Sequence, residues 1–193
     1  MRNATAVKAP SIAAALVLLC LPAAGAGEDT AGAGPAGGAS AVWASRELRF
    51  VFQGFTAQYS CDGLRDRLTD LLLQLGARAD LEVRESGCTS LGSPDPFPGV
   101  RIRMHVLQPA AAGDSAASVP AHWKRIDLTP RGNGLAAGEC ELIEQVKSQI
   151  LPLFATRNVE YGSNCQPHQL QVGAIRLRAE VLVADPNPAA AAQ

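Results

Sequence analysis

The chain has 193 residues, with 17 Lys+Arg against 18 Asp+Glu, three histidines and five cysteines. That near-neutral balance excludes a general attraction to nucleic acid, which needs a surplus of basic charge. The length suits one domain with a proper core.

Residues 1–26 have the make-up of a secretory signal. Arg2 and Lys8 precede the apolar run SIAAALVLLCLP, and Ala24-Gly25-Ala26 supplies the small residues a signal peptidase recognises. The run is too short to span a bilayer, so no membrane span is expected once the signal is removed. Cys20 follows Leu18-Leu19 rather than the small residue that precedes a lipobox cysteine, and is expected to leave with the signal. Cleavage removes two basic residues and no acidic one, leaving 15 Lys+Arg (17 less 2) against 18 Asp+Glu, a net of −3.

Residues 27–45 (GEDTAGAGPAGGASAVWAS) and 185–193 (DPNPAAAAQ) hold few large apolar side chains to offset the entropy of ordering. Both are expected to be flexible, a linker and a tail around a single domain at 46–184.

Within that domain a strand is expected at 48–53 (LRFVFQ). Leu64, Leu68, Leu71 and Leu75 then recur at steps of 4, 3 and 4, the spacing of one helix face, and Gly76 is placed to end the helix. Arg65, Asp66, Arg67 and Asp70 fall on the opposite face. Leu81 and Val83 alternate with Glu82 and Arg84, a period of two that predicts a strand over 78–84. After a Pro-rich loop, VRIRMHV at 100–106 alternates Val100, Ile102, Met104 and Val106 with Arg101, Arg103 and His105.

The same order recurs. Cys61 has apolar residues at +3, +10, +11 and +14 (Leu64, Leu71, Leu72, Leu75), and Cys140 has Ile143, Ile150, Leu151 and Phe154 at those offsets. KRIDL at 124–128 stands before the second helix. After it Ile175, Leu177, Ala179, Val181 and Val183 alternate with Arg176, Arg178 and Glu180. The pattern predicts an α+β fold of two tandem β-α-β-β repeats, about 46–108 and 122–184, with the helices on one face of antiparallel and mixed strands. Helix 2 is expected to end near Leu151, because Pro152 cannot continue it.

Four cysteines remain after cleavage, and an even number in an exported chain predicts two disulfides. A helix over 62–75 advances roughly 21 Å at 1.5 Å per residue. A strand over 78–84 returns roughly 23 Å at 3.3 Å per residue, so the chain comes back to where the helix began. That return predicts Cys61 with Cys88, and by the same argument Cys140 with Cys165. Each bridge closes a loop of about 25 residues, on the order of 3 to 4 kcal/mol by chain entropy. No CxxC or CxH spacing supports zinc or redox use.

Chemistry is harder to find. The outer sheet face collects Arg49, Arg84, Arg101, Arg103, Arg176, Arg178 and His105. Arginine forks bind carboxylates and phosphates bidentately, which suggests an anion site at Arg101, Arg103, Arg176 and Arg178. The competing reading is a solvated face on which Glu47, Glu82 and Glu180 neutralise the arginines across strands. Met104 and His105 are neighbours on a strand and point to opposite faces, so they do not share a metal ion, and none is expected. No cofactor motif, nucleophile elbow, HExxH or phosphate loop occurs. Gly113-Asp114-Ser115 and Tyr161-Gly162-Ser163 read as turn-rich stretches.

The expected function is that of an exported, periplasmic or secreted, non-enzymatic binding or accessory protein. Its expected partner is an anionic ligand or another envelope protein. The alternative is a periplasmic hydrolase that draws on scattered residues such as His122, Asp127 and Ser163.

Overall fold

The structure, a computed structural model, describes residues 39–55, 57–88, 94–111, 118–129, 139–165 and 175–186. All lie in one compact unit, Ala36–Gln193. The expected signal with Cys20, the stretch Gly113-Asp114-Ser115, His168 and the tail past residue 186 lie outside the described residues.

In chain order the elements are β1 (Ala39–Val51), α1 (Cys61–Gln74), β2 (Glu82–Glu85), β3 (Gly99–Pro109), β4 (Val119–Leu128), α2 (Cys140–Gln145), β5 (Thr156–Ser163) and β6 (Ile175–Ala184). The strands form one six-stranded sheet ordered β2-β3-β1-β4-β6-β5. The fold is α+β, with two helices and two disulfides. Every neighbouring pair is antiparallel, which corrects the expectation of a mixed sheet. β1 and β2 do run parallel, as a strand-helix-strand crossover demands, but β3 lies between them.

α1 forms where the leucine spacing places it. Ser60 caps it in extended backbone (φ −69°, ψ 161°), its hydroxyl accepting from the Gly63 N–H. At the other end Gly76 (φ +91°) closes a Schellman turn, Gly76 N–H donating to Leu73 and Ala77 N–H to Leu72. Leu64, Leu68, Leu71, Leu72 and Leu75 are buried against Phe50, Ile102, Met104 and Val106; α2 adds Leu142 and Ile143 to the same core, and the turn that follows it adds Val146 and Ile150. Full burial of each such side chain is worth about 1.5 to 3 kcal/mol.

The second helix departs from the first. After α2 the chain widens into one π-helical turn, Val146–Ile150, then tightens into a 3₁₀ turn, Leu151–Leu153. Pro152 lacks the amide that would continue the α pattern, so the ladder re-registers instead of running on. β1 differs at its start. It begins at Ala39, inside the stretch read as flexible linker, because Ala41 packs into a second buried cluster with Leu107, Ala121 and Leu182. β2 is shorter than the expected 78–84, as residues 79 and 80 form a turn. Tyr161-Gly162-Ser163, read as a turn, lies in β5, which carries a bulge between Arg157 and Glu160 with Asn158 at φ 53°.

The bridges join Cys61 to Cys88 and Cys140 to Cys165, with Cα separations of 6.3 and 6.1 Å. Both lie within the range a disulfide spans.

Two contacts cross between the halves of the sheet at the helix ends. A Cβ built on Gly76 would lie 2.7 Å from Val183 Cγ1 on β6, and the Gln108 side chain on β3 donates to the Leu153 carbonyl at 3.2 Å. Gly76→Ala therefore meets both left-handed strain and a clash. It should cost about 2 to 4 kcal/mol in urea unfolding, of which ~1 to 2 is backbone strain and the rest overpacking.

Candidate functional site

Hydrogen bonding sets which face each residue shows. On β1 the even residues bond β3, as Phe52 N–H to Pro98 and Ala110 N–H to Ser40 fix the parity. Phe50, Ile102, Met104 and Val106 turn toward the helices. Arg49, Glu47, Ser45 and Trp43 share the other face with Arg101, Arg103 and His105 of β3 and Arg84 and Glu82 of β2.

Register turns this face into rows. Arg84 stands opposite Arg101 and Arg101 opposite Arg49, so three guanidinium groups lie in line across β2, β3 and β1. In the next row Glu82, Arg103 and Glu47 face one another. Arg103 meets Glu47 at 3.6 Å and Glu82 at 3.9 Å, and Arg84 also pairs with Glu82. Arg49 and Arg101 have no ion pair among the described residues, and both are exposed. Arg49 packs beside Gly87, whose built Cβ lies 3.6 Å from its guanidinium, at φ +78°.

Arg176 and Arg178 share the face but not the place. Arg101 lies opposite Arg49, eight residues along β1 from Ala41, and Arg178 lies opposite Asp127, eight residues along β4 from Val119. Ala41 faces Val119. The two arginine pairs are therefore separated by sixteen strand positions, on the order of 50 Å. One small ligand does not touch all four. Arg178 is held by Asp127 at 2.8 Å, as Glu180 is by Arg157 at 2.5 Å.

Between those ends stand two aromatic and cation pairs. Arg78 lies 5.4 Å from the Trp43 ring and Arg157 lies 4.5 Å from the Trp123 ring. Each arginine comes from an outer segment and reaches over the intervening strand. Arg78 also grips Asp80 through two hydrogen bonds and donates to His105 Nδ1 at 2.9 Å. That guanidinium holds the Asp80 carboxyl down at about 2. The spacing from tryptophan to arginine, 35 in one case and 34 in the other, is the signal in the sequence that marks these pairs.

The hydrolase residues stay apart. His122 and Asp127 are five positions apart on β4 and so face opposite ways, with His122 against Asp185 and Asp127 against Arg178. Ser163 ends β5, where its hydroxyl donates to Glu144. The depressions on this face are shallow. The one of about 580 Å³ is walled by Ser45, Glu47, Asp80, Glu82, Arg103 and His105.

Arg67, read as a solvent-face residue, is instead mostly buried. Its guanidinium forks Glu139 at 2.8 and 2.6 Å, and Tyr59 donates to the same carboxylate at 2.7 Å while its ring meets Phe52 edge-on. Glu139 is 5% exposed. Burial, then the bond to Glu139 and its charge, push the Tyr59 phenol well above its ordinary range. This network locks α1 to the start of α2.

No protein-family model, curated protein or solved structure matches the chain.

Arg67→Met strips a buried carboxylate of its fork and should cost about 3 to 5 kcal/mol in urea unfolding. Arg65→Met, whose partners Asp66 and Glu85 are more exposed, should move the unfolding midpoint far less than Arg67→Met does. The phenol gives a pH test. Its raised folded value means the native state keeps a proton that the unfolded chain releases near pH ~10. The stability it supports is thus complete below that pH and falls above it by about 1.4 kcal/mol per unit. Unfolding of the wild type and Tyr59→Phe between about pH 9 and 11 should show a gap that closes as pH rises.

Proposed function

We propose that this chain is an exported, periplasmic or secreted, non-enzymatic binding or accessory protein that holds an anionic group on the arginine row Arg49, Arg101 and Arg84. The row itself carries the reading. Like charges directly opposite on neighbouring strands destabilise a sheet. Here three occur in line, two of them with no carboxylate, while the neighbouring row is neutralised on both sides. An anion seated across the row relieves that repulsion and gains forked hydrogen bonds.

Export is supported by the two disulfides, which persist in oxidising compartments. Among the described residues no helix is long and apolar enough to cross a membrane. A duplicated β-α-β-β architecture is supported by the sheet order, in which β2-β3-β1 and β4-β6-β5 follow the same course outward from the centre. Each bridge runs from the first residue of a helix, and Trp43 and Trp123 each carry an arginine.

The test is calorimetric titration with tripolyphosphate over a salt series. Arg49→Ala with Arg101→Ala should weaken binding by at least about ten-fold, the worth of one charge-assisted bond, and flatten the salt dependence. Arg176→Ala with Arg178→Ala should leave it unchanged. Equal affinity in the wild type and the first pair would overturn the reading.

A further inference from the structure

β1 is central in the sheet order, yet among the described residues most of one edge is open. Its odd residues direct N–H and C=O away from β3. Residues 39 and 41 meet β4. At the other end α2 side chains stand in for a strand: Gln145 accepts from Gln53 N–H at 3.1 Å and donates to Gln53 C=O at 2.6 Å, and Glu141 accepts from Phe55 N–H at 2.6 Å. Between them Trp43, Ser45, Glu47, Arg49 and Val51 have no backbone partner among the described residues, except that Arg46 turns its own guanidinium onto the Ser45 carbonyl at 3.2 Å. No described strand pairs along this stretch.

From this we infer that the open edge is a docking slot for an extended acidic segment of another polypeptide, which adds a strand to β1. The inference rests on the anion-binding reading of the arginine row and names its partner. Size selects the occupant. The slot covers residues 43–51 and is stopped at one end by Val119 and at the other by Gln145, so about 30 Å of strand fits, and the broad edge of a second sheet does not. Charge selects its composition. A residue of the added strand opposite Arg49 falls in line with Arg49, Arg101 and Arg84, and a carboxylate there ends a row of three cations. Alternate residues point to the helix side next to Leu48, which is partly buried against the core, so the segment alternates acidic with apolar. Main-chain bonds provide affinity and the alternate side chains provide choice, as in strand addition generally.

Proline gives a clean test, because an N–H that faces the slot is not needed by β3. Ser45→Pro removes one docking donor and leaves the β1 to β3 ladder whole. The full chain is titrated with a nine-residue peptide alternating glutamate and valine, with its lysine and valine counterpart, and with tripolyphosphate. Amide exchange of β1 is followed by NMR. The acidic peptide should bind and slow exchange at Ser45, Glu47 and Arg49 by at least about ten-fold, with little change at Arg46 and Leu48, already bonded to β3. Ser45→Pro should lose peptide binding and keep tripolyphosphate binding. The same loss is expected with the unaltered protein when alternate peptide amides are methylated, which settles the matter if the proline variant does not fold.

Binding without protection of those amides, equal binding of the lysine peptide, or binding unaffected by methylation each overturns the docking inference. So does protection that grows with protein concentration alone, which marks a second copy as the occupant. In all these cases tripolyphosphate binding that still needs Arg49 and Arg101 leaves the row reading intact, and its loss of that dependence removes the row reading separately.

Discussion

The sheet hangs on three residues of pairing. β1 and β4 meet only at Ala39, Ser40 and Ala41 against Ala121, Pro120 and Val119, and then diverge, each continuing outward without the other. Ala41 and Ala121 are fully buried there, with Leu107 and Leu182 beside them. Small side chains let two strands and two leucines share one centre. Because the overlap is short, β1 and β4 are staggered end to end. That stagger puts Arg101 and Arg178 far apart and leaves most of one β1 edge without a partner among the described residues.

So small a joint needs help, and it comes from the helix side. Residues of α1, α2 and all strands but β2 and β5 contribute buried side chains to one core. The fork of Arg67 on Glu139 spans the two helices, the Gln145 amide closes on the backbone of residue 53, and Gly76 lets the end of α1 settle against Val183. A buried ion pair adds little net stability, since desolvation offsets most of its attraction, but losing one partner is costly. It therefore fixes how α1 and α2 meet more than it strengthens the fold. The disulfides act differently. Each ties a helix start to the chain that follows the next edge strand, and stabilises mainly by restricting the unfolded ensemble.

What could be read in advance was local or periodic. The leucine spacing of α1, the alternation in β3 and β6, and the out-and-back lengths that pair Cys61 with Cys88 are all contained within about thirty residues. What could not be read depended on partners remote in sequence. Ala39 to Ser45 carry only Val42 and Trp43 as large apolar side chains among small ones, so their strand is visible only with Leu107 and Leu182 in place. Arg67 looks solvated on a helical wheel because Glu139 is 72 residues away. The arginine row is a matter of register, since shifting β3 by one position against β1 turns each guanidinium to the other face. The short β2 and the π turn before Pro152 show propensity giving way to the turn at residues 79 and 80 and to a missing amide.

An unpaired strand edge is a hazard, and proteins protect such edges with charge. Along the open part of β1 the side chains on the face away from the helices are Trp43, Ser45, Glu47, Arg49 and Val51, with the two charges at its middle, and Arg46 folds back over a carbonyl. These features discourage indiscriminate pairing, because an apolar strand would desolvate Arg49 with no carboxylate to meet it. They do not discourage a strand with matching charge. Protection and selectivity are here the same physical property: the charge that repels most strands defines the one that fits. Arg103, neutralised by Glu47 and Glu82, contributes no net field, while Arg49 and Arg101 do. The free charge is thus concentrated at the far end of the slot from β4, where an incoming carboxylate finds Arg49 and Arg101 with no ion pair among the described residues, and beyond them Arg84, shared with Glu82.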